Sequence, residues 1–122
     1  MLSTLVWILQ VLLAALFALT GTLKLVLARE QLAPKMHWAA SWPRGRIKLL
    51  GLAELAGAVG LVAPAVTGTA PVLTPLAAAC LAVLMAGAVR THQRLGEGFV
   101  PAAVIGVLCL GIAAGRLMTP GL

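Results

Sequence analysis

Four long runs of apolar residues occupy most of the chain, at residues 5–27, 47–63, 71–89 and 99–114. Because an α-helix rises about 1.5 Å per residue, about 20 residues cross the hydrocarbon layer of a membrane. Only helices and closed barrels satisfy their backbone in lipid, and the runs lack the two-residue alternation of a barrel strand. The sequence therefore predicts an all-α integral membrane four-helix bundle, with residues 1–122 forming a single transmembrane domain.

The composition excludes an ordinary soluble fold, since 61% of the 122 residues are hydrophobic and only 10% are charged. Soluble domains carry roughly a quarter charged residues, and so small a domain has little interior in which to bury apolar side chains. The net charge is +6, and most of the basic residues lie between apolar runs. The chain has two Phe, three Trp and no Tyr, so few aromatic side chains are available to interleave with the basic ones. We therefore expect membrane lipids, and no nucleic acid, as partners of the basic residues.

The distribution of positive charge predicts the orientation in the cell membrane. Residues 64–70, the second connection, carry no charge, whereas the first connection with its flanks and the third connection carry seven basic residues: Arg29, Lys35, Arg44, Arg46, Lys48, Arg90 and Arg94. The positive-inside rule then makes the first and third connections cytoplasmic and puts both termini outside. Arg116 opposes this assignment and is expected at the membrane interface.

Lys24 and Glu54 are charged residues inside predicted membrane spans. Three- and four-residue spacing puts Glu54 on a helix face of mostly small residues, and Lys24 on a face with Gln10 and Thr20. Both lie at similar depths, and isolated ions in hydrocarbon usually pair or face a cavity. An ion pair or a hydrogen-bonded neutral pair is expected. Two interpretations remain open. In the first, Lys24 snorkels to lipid headgroups while Glu54 caps a local polar network and helps the helices assemble. In the second, the two residues form a polar pocket in the cytoplasmic leaflet.

Arg90 and His92 close the third helix on the same side, so they could complete an intramembrane polar site with Lys24 and Glu54. A histidine near a carboxylate can exchange protons near neutral pH, although a histidine beside a loop often has no catalytic role. Trp38 and Trp42 belong to the long, basic first connection. Their expected role is interfacial anchoring.

No group of residues has the ligand spacing of a zinc or haem site, and no phosphate loop, hydrolase elbow or catalytic triad is present. Metal binding is therefore not predicted. Cys80 and Cys109 lie in apolar runs without a Cys-x-x-Cys motif, which favours buried structural thiols over a redox pair. Tight helix packing is predicted from small residues at four-residue spacing: Ala14 and Ala18, Ala53 and Gly57, Ala56 and Gly60, Ala78, Ala82 and Ala86, Gly111 and Gly115.

Three segments together resemble the DoxX-like membrane proteins: FALTGTLKL at 17–25, LGLAELAGAVGL at 50–61 and GAVRTH at 87–92. The resemblance covers nearly the whole chain and implies a four-helix bundle. It also implies that Lys24 and Glu54 correspond to the intramembrane Lys and Glu of that family, and His92 to its polar third-helix end. Relatives include the membrane part of a thiosulfate:quinone oxidoreductase, proteins of membrane redox complexes and a distant animal chaperone for receptor assembly.

Two classes of function remain open on this resemblance. The first is a quinone- or lipid-associated subunit of a membrane redox system, with quinone as ligand and a membrane or peripheral redox protein as partner. The second is a non-enzymatic assembly, chaperone or stress-response factor. A small transporter is a third alternative, and it would need a homo-oligomer to enclose a path.

Overall fold

The computed structural model describes residues 2–27, 31, 43–68, 72–96 and 98–118. These residues contain four long helices and no strand: α1 (Leu2–Val26), α2 (Arg44–Thr67), α3 (Leu73–Arg94) and α4 (Val100–Met118). All four helices are long and apolar enough to cross a membrane. The prediction of an all-α four-helix membrane bundle is confirmed.

The helices form a closed ring in which each packs against the next and α4 packs against α1. Neighbouring helices are antiparallel, because Gly57 of α2 lies against Leu81 of α3 while Gly60 lies against Ala77. The bundle thus has two ends. We call them the Lys24 end, where α1 and α3 finish, and the Arg116 end, where α2 and α4 finish.

The bundle is apolar on its outer surface and buries several polar side chains within an apolar interior. Its outer surface exposes large aliphatic side chains, among them Leu5, Leu19, Val59, Val83 and Val107. Its interior contains Phe17, Leu61, Leu81 and Ile112 together with five buried polar or charged residues: Gln10, Lys24, Glu54, Thr74 and Arg116. An aliphatic surface is stable in lipid because burying it there brings no hydrophobic gain. Polar groups in the interior need hydrogen-bond partners, because hydrocarbon supplies none.

Glycines permit the closest helix contacts. A Cβ added at Gly57 would stand 2.5 Å from Leu81, and one added at Gly115 would stand 2.6 Å from Val6. The prediction that small residues line the interfaces holds for Gly57, Gly60 and Gly115. It is wrong for four others, which are exposed because their spacing follows a face turned away from the neighbouring helices: Ala53, Ala56, Ala86 and Gly111.

Most helix ends lie beyond the apolar runs. α2 begins at Arg44, where Pro43 accepts the first amide hydrogen bonds, and it stops at Thr67, where Gly68 takes the left-handed conformation with φ 69°. α3 continues to Arg94 and α4 to Met118. Apolar runs indicate what crosses hydrocarbon, whereas a helix continues into its polar flanks until a capping residue ends its hydrogen bonding.

Pro64 follows the second apolar run, a position typical of a helix end, yet it lies inside α2 and is buried there. A proline has no N–H, and the carbonyl four residues earlier, Gly60, loses its usual donor. The Thr74 hydroxyl of α3 donates to that carbonyl at 3.0 Å. The next carbonyl, Leu61, accepts a hydrogen bond from the Gln10 side chain of α1. Side chains of both neighbouring helices therefore support the backbone of α2 around the proline.

Thr74→Val should lower the free energy of unfolding by about 1 kcal/mol, because the Gly60 carbonyl loses its donor inside the bundle. Pro64→Ala restores an amide that can reach the same carbonyl. The Thr74→Val cost should therefore be smaller in the Pro64→Ala background, as measured by detergent-induced unfolding of the four proteins.

Thr91→Val is the matched control, since the Thr91 hydroxyl donates to Gly87 within its own exposed turn. It should have little effect in either background. An equal cost of Thr74→Val with and without Pro64 would contradict this account of the proline.

Candidate functional site

Lys24 and Glu54 form a salt bridge inside the bundle. Nζ of Lys24 donates to Oε2 of Glu54 at 2.5 Å, and the two side chains are 6% and 3% exposed. The second carboxylate oxygen, Oε1, accepts a hydrogen bond from the Thr20 hydroxyl at 2.9 Å. The site therefore joins α1 to α2 and provides partners for both oxygens of Glu54.

A close approach of α1 and α2 positions this ion pair. A Cβ on Gly21 would stand 2.8 Å from the Gly51 carbonyl oxygen, and a Cβ on Gly51 would stand 2.8 Å from that of Gly21. A Cβ on Gly51 would also stand 3.0 Å from the Lys24 Cβ, so glycine at this position makes room for the aliphatic part of the Lys24 side chain. Each ion follows its glycine by three residues, which keeps glycine and ion on one helix face.

The electrostatics of the site follow from the absence of water in hydrocarbon. A lysine or glutamate alone would be costly there, whereas the pair has no net charge and the Thr20 hydroxyl supplies a further donor. The arrangement can bind a polar group through hydrogen bonds or move a proton between an ammonium and a carboxylate. It can equally fix the register of two helices without a ligand.

His92 and Arg90 lie further toward the Lys24 end. The register of α2 and α3 puts Glu54 level with Leu84, so His92, eight residues later, is displaced by about 12 Å along the axis. Arg90 is displaced by about 9 Å by the same measure and is exposed, while His92 is half-buried. The structure thus brings Lys24 and Glu54 together. A single polar site containing all four stays a prediction.

The other predicted residues have different outcomes. Trp38 and Trp42 lie outside the described residues. Cys109 is buried, but Cys80 is exposed on the outer surface of α3, so the prediction that both are buried is wrong for Cys80. Both cysteines lie in apolar runs, but the rotation of each helix about its axis determines which of its side chains face the interior. Both thiols are free.

A second polar cluster lies at the Arg116 end, and sequence reasoning missed it. Arg116 is buried within the protein, with 6% exposure. Its Nε donates to the Gln10 side-chain oxygen, and its guanidinium lies over the Trp7 ring at 4.9 Å from the centroid. Gln10 within an apolar run, near the same end as Arg116, was the available signal. Its shared face with Thr20 and Lys24 drew attention to the other end instead.

The described residues contain no group of three or more His, Cys, Asp or Glu side chains that could hold a metal ion. The ion pair and the Arg116 cluster are two polar centres in the described interior. Gln10 lies fourteen residues before Lys24 on α1, about 21 Å along that helix, while the Leu61 carbonyl that Gln10 contacts lies seven residues, about 10 Å, from Glu54 on α2.

The arrangement of four apolar helices around a buried Lys and Glu agrees with a match to the model of the DoxX-like family over residues 8–115. The chain belongs to the DoxX-like family. No curated protein and no solved structure matches it. The matched range includes most of each of the four helices, the Lys24–Glu54 pair and Gln10, whereas Trp7 and Arg116 each lie one residue outside it.

Lys24→Met and Glu54→Gln should each lower the stability of this DoxX-like protein, because each leaves the other partner buried without its counter-charge. The cost of such a loss is ~3–5 kcal/mol in soluble interiors and is smaller where snorkelling or water defects help. The double variant should recover much of that loss, which a double-mutant cycle of detergent-induced unfolding measures.

Lys48→Met is the matched control, since it removes an exposed cation from the first turns of α2. It should leave the free energy of unfolding nearly unchanged, and its effect should be additive with that of Glu54→Gln. Strict additivity of Lys24→Met and Glu54→Gln would show that the salt bridge contributes nothing to stability.

Proposed function

We propose that this DoxX-like protein is a quinone- or lipid-associated subunit of a membrane redox system, and that the Lys24–Glu54 centre binds the ligand headgroup. The supporting observation is the burial of both charges inside the bundle, at 6% and 3% exposure. Charges inside membrane spans are costly and commonly mark ligand sites or proton pathways. The resemblance to DoxX-like proteins implies quinone as one ligand and, through the chaperone among the relatives, an assembly role as the alternative.

The donor set at this centre suits a quinone. The Lys24 ammonium carries three N–H donors, whereas the single O–H donor of Thr20 is given to Glu54. A bound quinone supplies a two-electron, two-proton redox couple. Lys24 would donate a hydrogen bond to one of its carbonyl oxygens, Glu54 would hold a proton, and a membrane or peripheral redox protein would be the electron partner.

The second candidate function is a non-enzymatic assembly or chaperone factor. It is favoured by the closed hydrogen bonding of the centre, in which Lys24 and Thr20 already occupy both oxygens of Glu54. A pair so arranged can hold α1 against α2 without any ligand. The outer surface would then recognise another membrane protein.

The quinone proposal predicts that protein purified in a mild neutral detergent retains about one ubiquinone or menaquinone per chain, as expected for a single occupied site. Mass spectrometry of the extracted lipids measures the ratio. The folded Lys24→Met/Glu54→Gln double variant should lose the quinone because both polar partners are gone, whereas Lys48→Met should retain it.

Mass spectrometry of the proteins in the same preparation distinguishes the two candidates. A stoichiometric membrane-protein partner without any quinone would contradict the redox proposal and support an assembly factor. Quinone retained equally by the double variant would place the ligand elsewhere in the bundle.

The proposed orientation puts the Lys24 end toward the cytoplasm and both termini outside, in accordance with the basic residues of the first and third connections. In a background lacking Cys80 and Cys109, Thr67→Cys should react with an impermeant thiol reagent added to intact cells. Gln93→Cys should react only after permeabilisation. Both side chains are exposed, at opposite ends of the bundle. Labelling of Gln93→Cys in intact cells would reverse the orientation.

A further inference from the structure

Arg116 has hydrogen-bonding capacity that the described protein does not use. Its Nε is bound by Gln10, but the two terminal nitrogens, Nη1 and Nη2, are buried and have no hydrogen-bond partner. An arginine remains charged under all ordinary conditions, and buried donors without acceptors are costly. The guanidinium is therefore a site at which a polar partner is expected.

The charge of Arg116 also has no counter-charge among the described residues. The chain has three acidic residues, and Glu54 is the one that the described ranges include. Glu54 is bound to Lys24 and Thr20, and it lies seven residues, about 10 Å along α2, from the Leu61 carbonyl that Gln10 contacts. A water molecule could accept hydrogen bonds from the terminal nitrogens but would not compensate the positive charge. An anion would do both.

The surroundings of the guanidinium hold it in a defined orientation. Gln10 accepts from Nε and itself donates to the Leu61 carbonyl of α2, and the Trp7 ring packs against the guanidinium plane. α1 and α2 thereby restrain the side chain of α4. With Nε and one planar face occupied, the terminal nitrogens remain for a ligand.

We propose that Nη1 and Nη2 of Arg116 bind a phosphate-type oxyanion at the Arg116 end of the bundle. Two parallel N–H donors match two oxygens of one phosphate, the geometry that makes arginine a preferred phosphate ligand. Arg116 is two residues from the end of α4, about 3 Å along the axis, so a lipid phosphate at the end of this apolar span would be within reach of it. The phosphate belongs either to a lipid headgroup or to a free anion.

This site is independent of the quinone proposal, since it uses another end of the bundle and an anion rather than a neutral ring. The terminal nitrogens are covered in this structure. The anion must therefore reach them by displacing the side chains that cover them, while Gln10 and Trp7 keep the guanidinium in place.

The test is thermal unfolding of delipidated protein in dodecyl maltoside, which carries no phosphate. Inorganic phosphate and phosphatidylglycerol are titrated separately at constant ionic strength set with sodium chloride. Wild type should show a saturable rise in Tm with at least one of them, because a ligand that binds only the folded state stabilises it. Saturation by inorganic phosphate identifies a free anion, and saturation by the lipid alone identifies a headgroup.

Arg116→Gln should weaken the apparent affinity by about tenfold or more, since charge-assisted hydrogen bonds are lost. Arg116→Lys keeps the charge without the two-nitrogen fork, so it should fold and still bind more weakly than wild type. Arg94→Gln, which removes an exposed arginine at the other end, should bind as wild type does. No saturable shift with either probe in wild type, or an undiminished shift in both Arg116 variants, would overturn the proposal.

Discussion

Hydrocarbon offers no hydrogen bonds, and this constraint explains the interior of the bundle. Every polar group that the chain carries into the membrane has to find its partner in the protein. The Gly60 carbonyl, deprived of its donor by Pro64, is bound by Thr74, and Gln10 reaches the neighbouring Leu61 carbonyl. The same requirement pairs Lys24 with Glu54. Polar contacts between helices therefore stabilise this fold, whether or not they also bind a ligand.

Packing and electrostatics depend on one another at the crossing of α1 and α2. Helices in lipid gain little from burying apolar surface, so their association relies on close contact and on hydrogen bonds. Gly21 and Gly51 allow the two backbones to approach until a Cβ on either would meet the other's carbonyl. Lys24 and Glu54 each lie one turn beyond the glycine of their own helix, on either side of this crossing, and Nζ of Lys24 reaches within 2.5 Å of Oε2 of Glu54. A larger residue at either glycine would separate both the helices and the charges.

The sequence was sufficient to predict the four membrane helices and the contact between Lys24 and Glu54. Helix number follows from the length of apolar runs, and the cost of unpaired ions at one depth favours their pairing. Features that depend on the rotation of a helix were harder to predict. Cys80 and Cys109 lie in similar apolar runs, yet one is exposed and the other buried. Repeated Gly-x-x-ion spacing, in GTLK and GLAE, was a usable signal for the α1–α2 crossing.

Pro64 and Arg116 show a second limit, because their roles depend on partners far away in the chain. A proline after an apolar run ordinarily predicts a helix end, and nothing local indicates that Thr74 will serve the freed carbonyl. An arginine near a helix end ordinarily predicts snorkelling to headgroups. Here Gln10 and Trp7, more than a hundred residues earlier, hold it inside the bundle. These tertiary contacts override local expectations.

The two polar centres differ in charge, and that difference decides which ligands each can accept. Lys24 and Glu54 cancel one another, so a charged ligand there would have to break their salt bridge, whereas a neutral ligand with carbonyl oxygens needs only hydrogen bonds. Arg116 leaves a positive charge uncompensated by the described residues, so a neutral ligand there would satisfy its donors but not its charge. Electrostatics thus favours a neutral headgroup at the Lys24 end and an anion at the Arg116 end. Because α1 contributes to both centres through Lys24 and Gln10, a displacement of that helix on binding at one end would alter the geometry at the other.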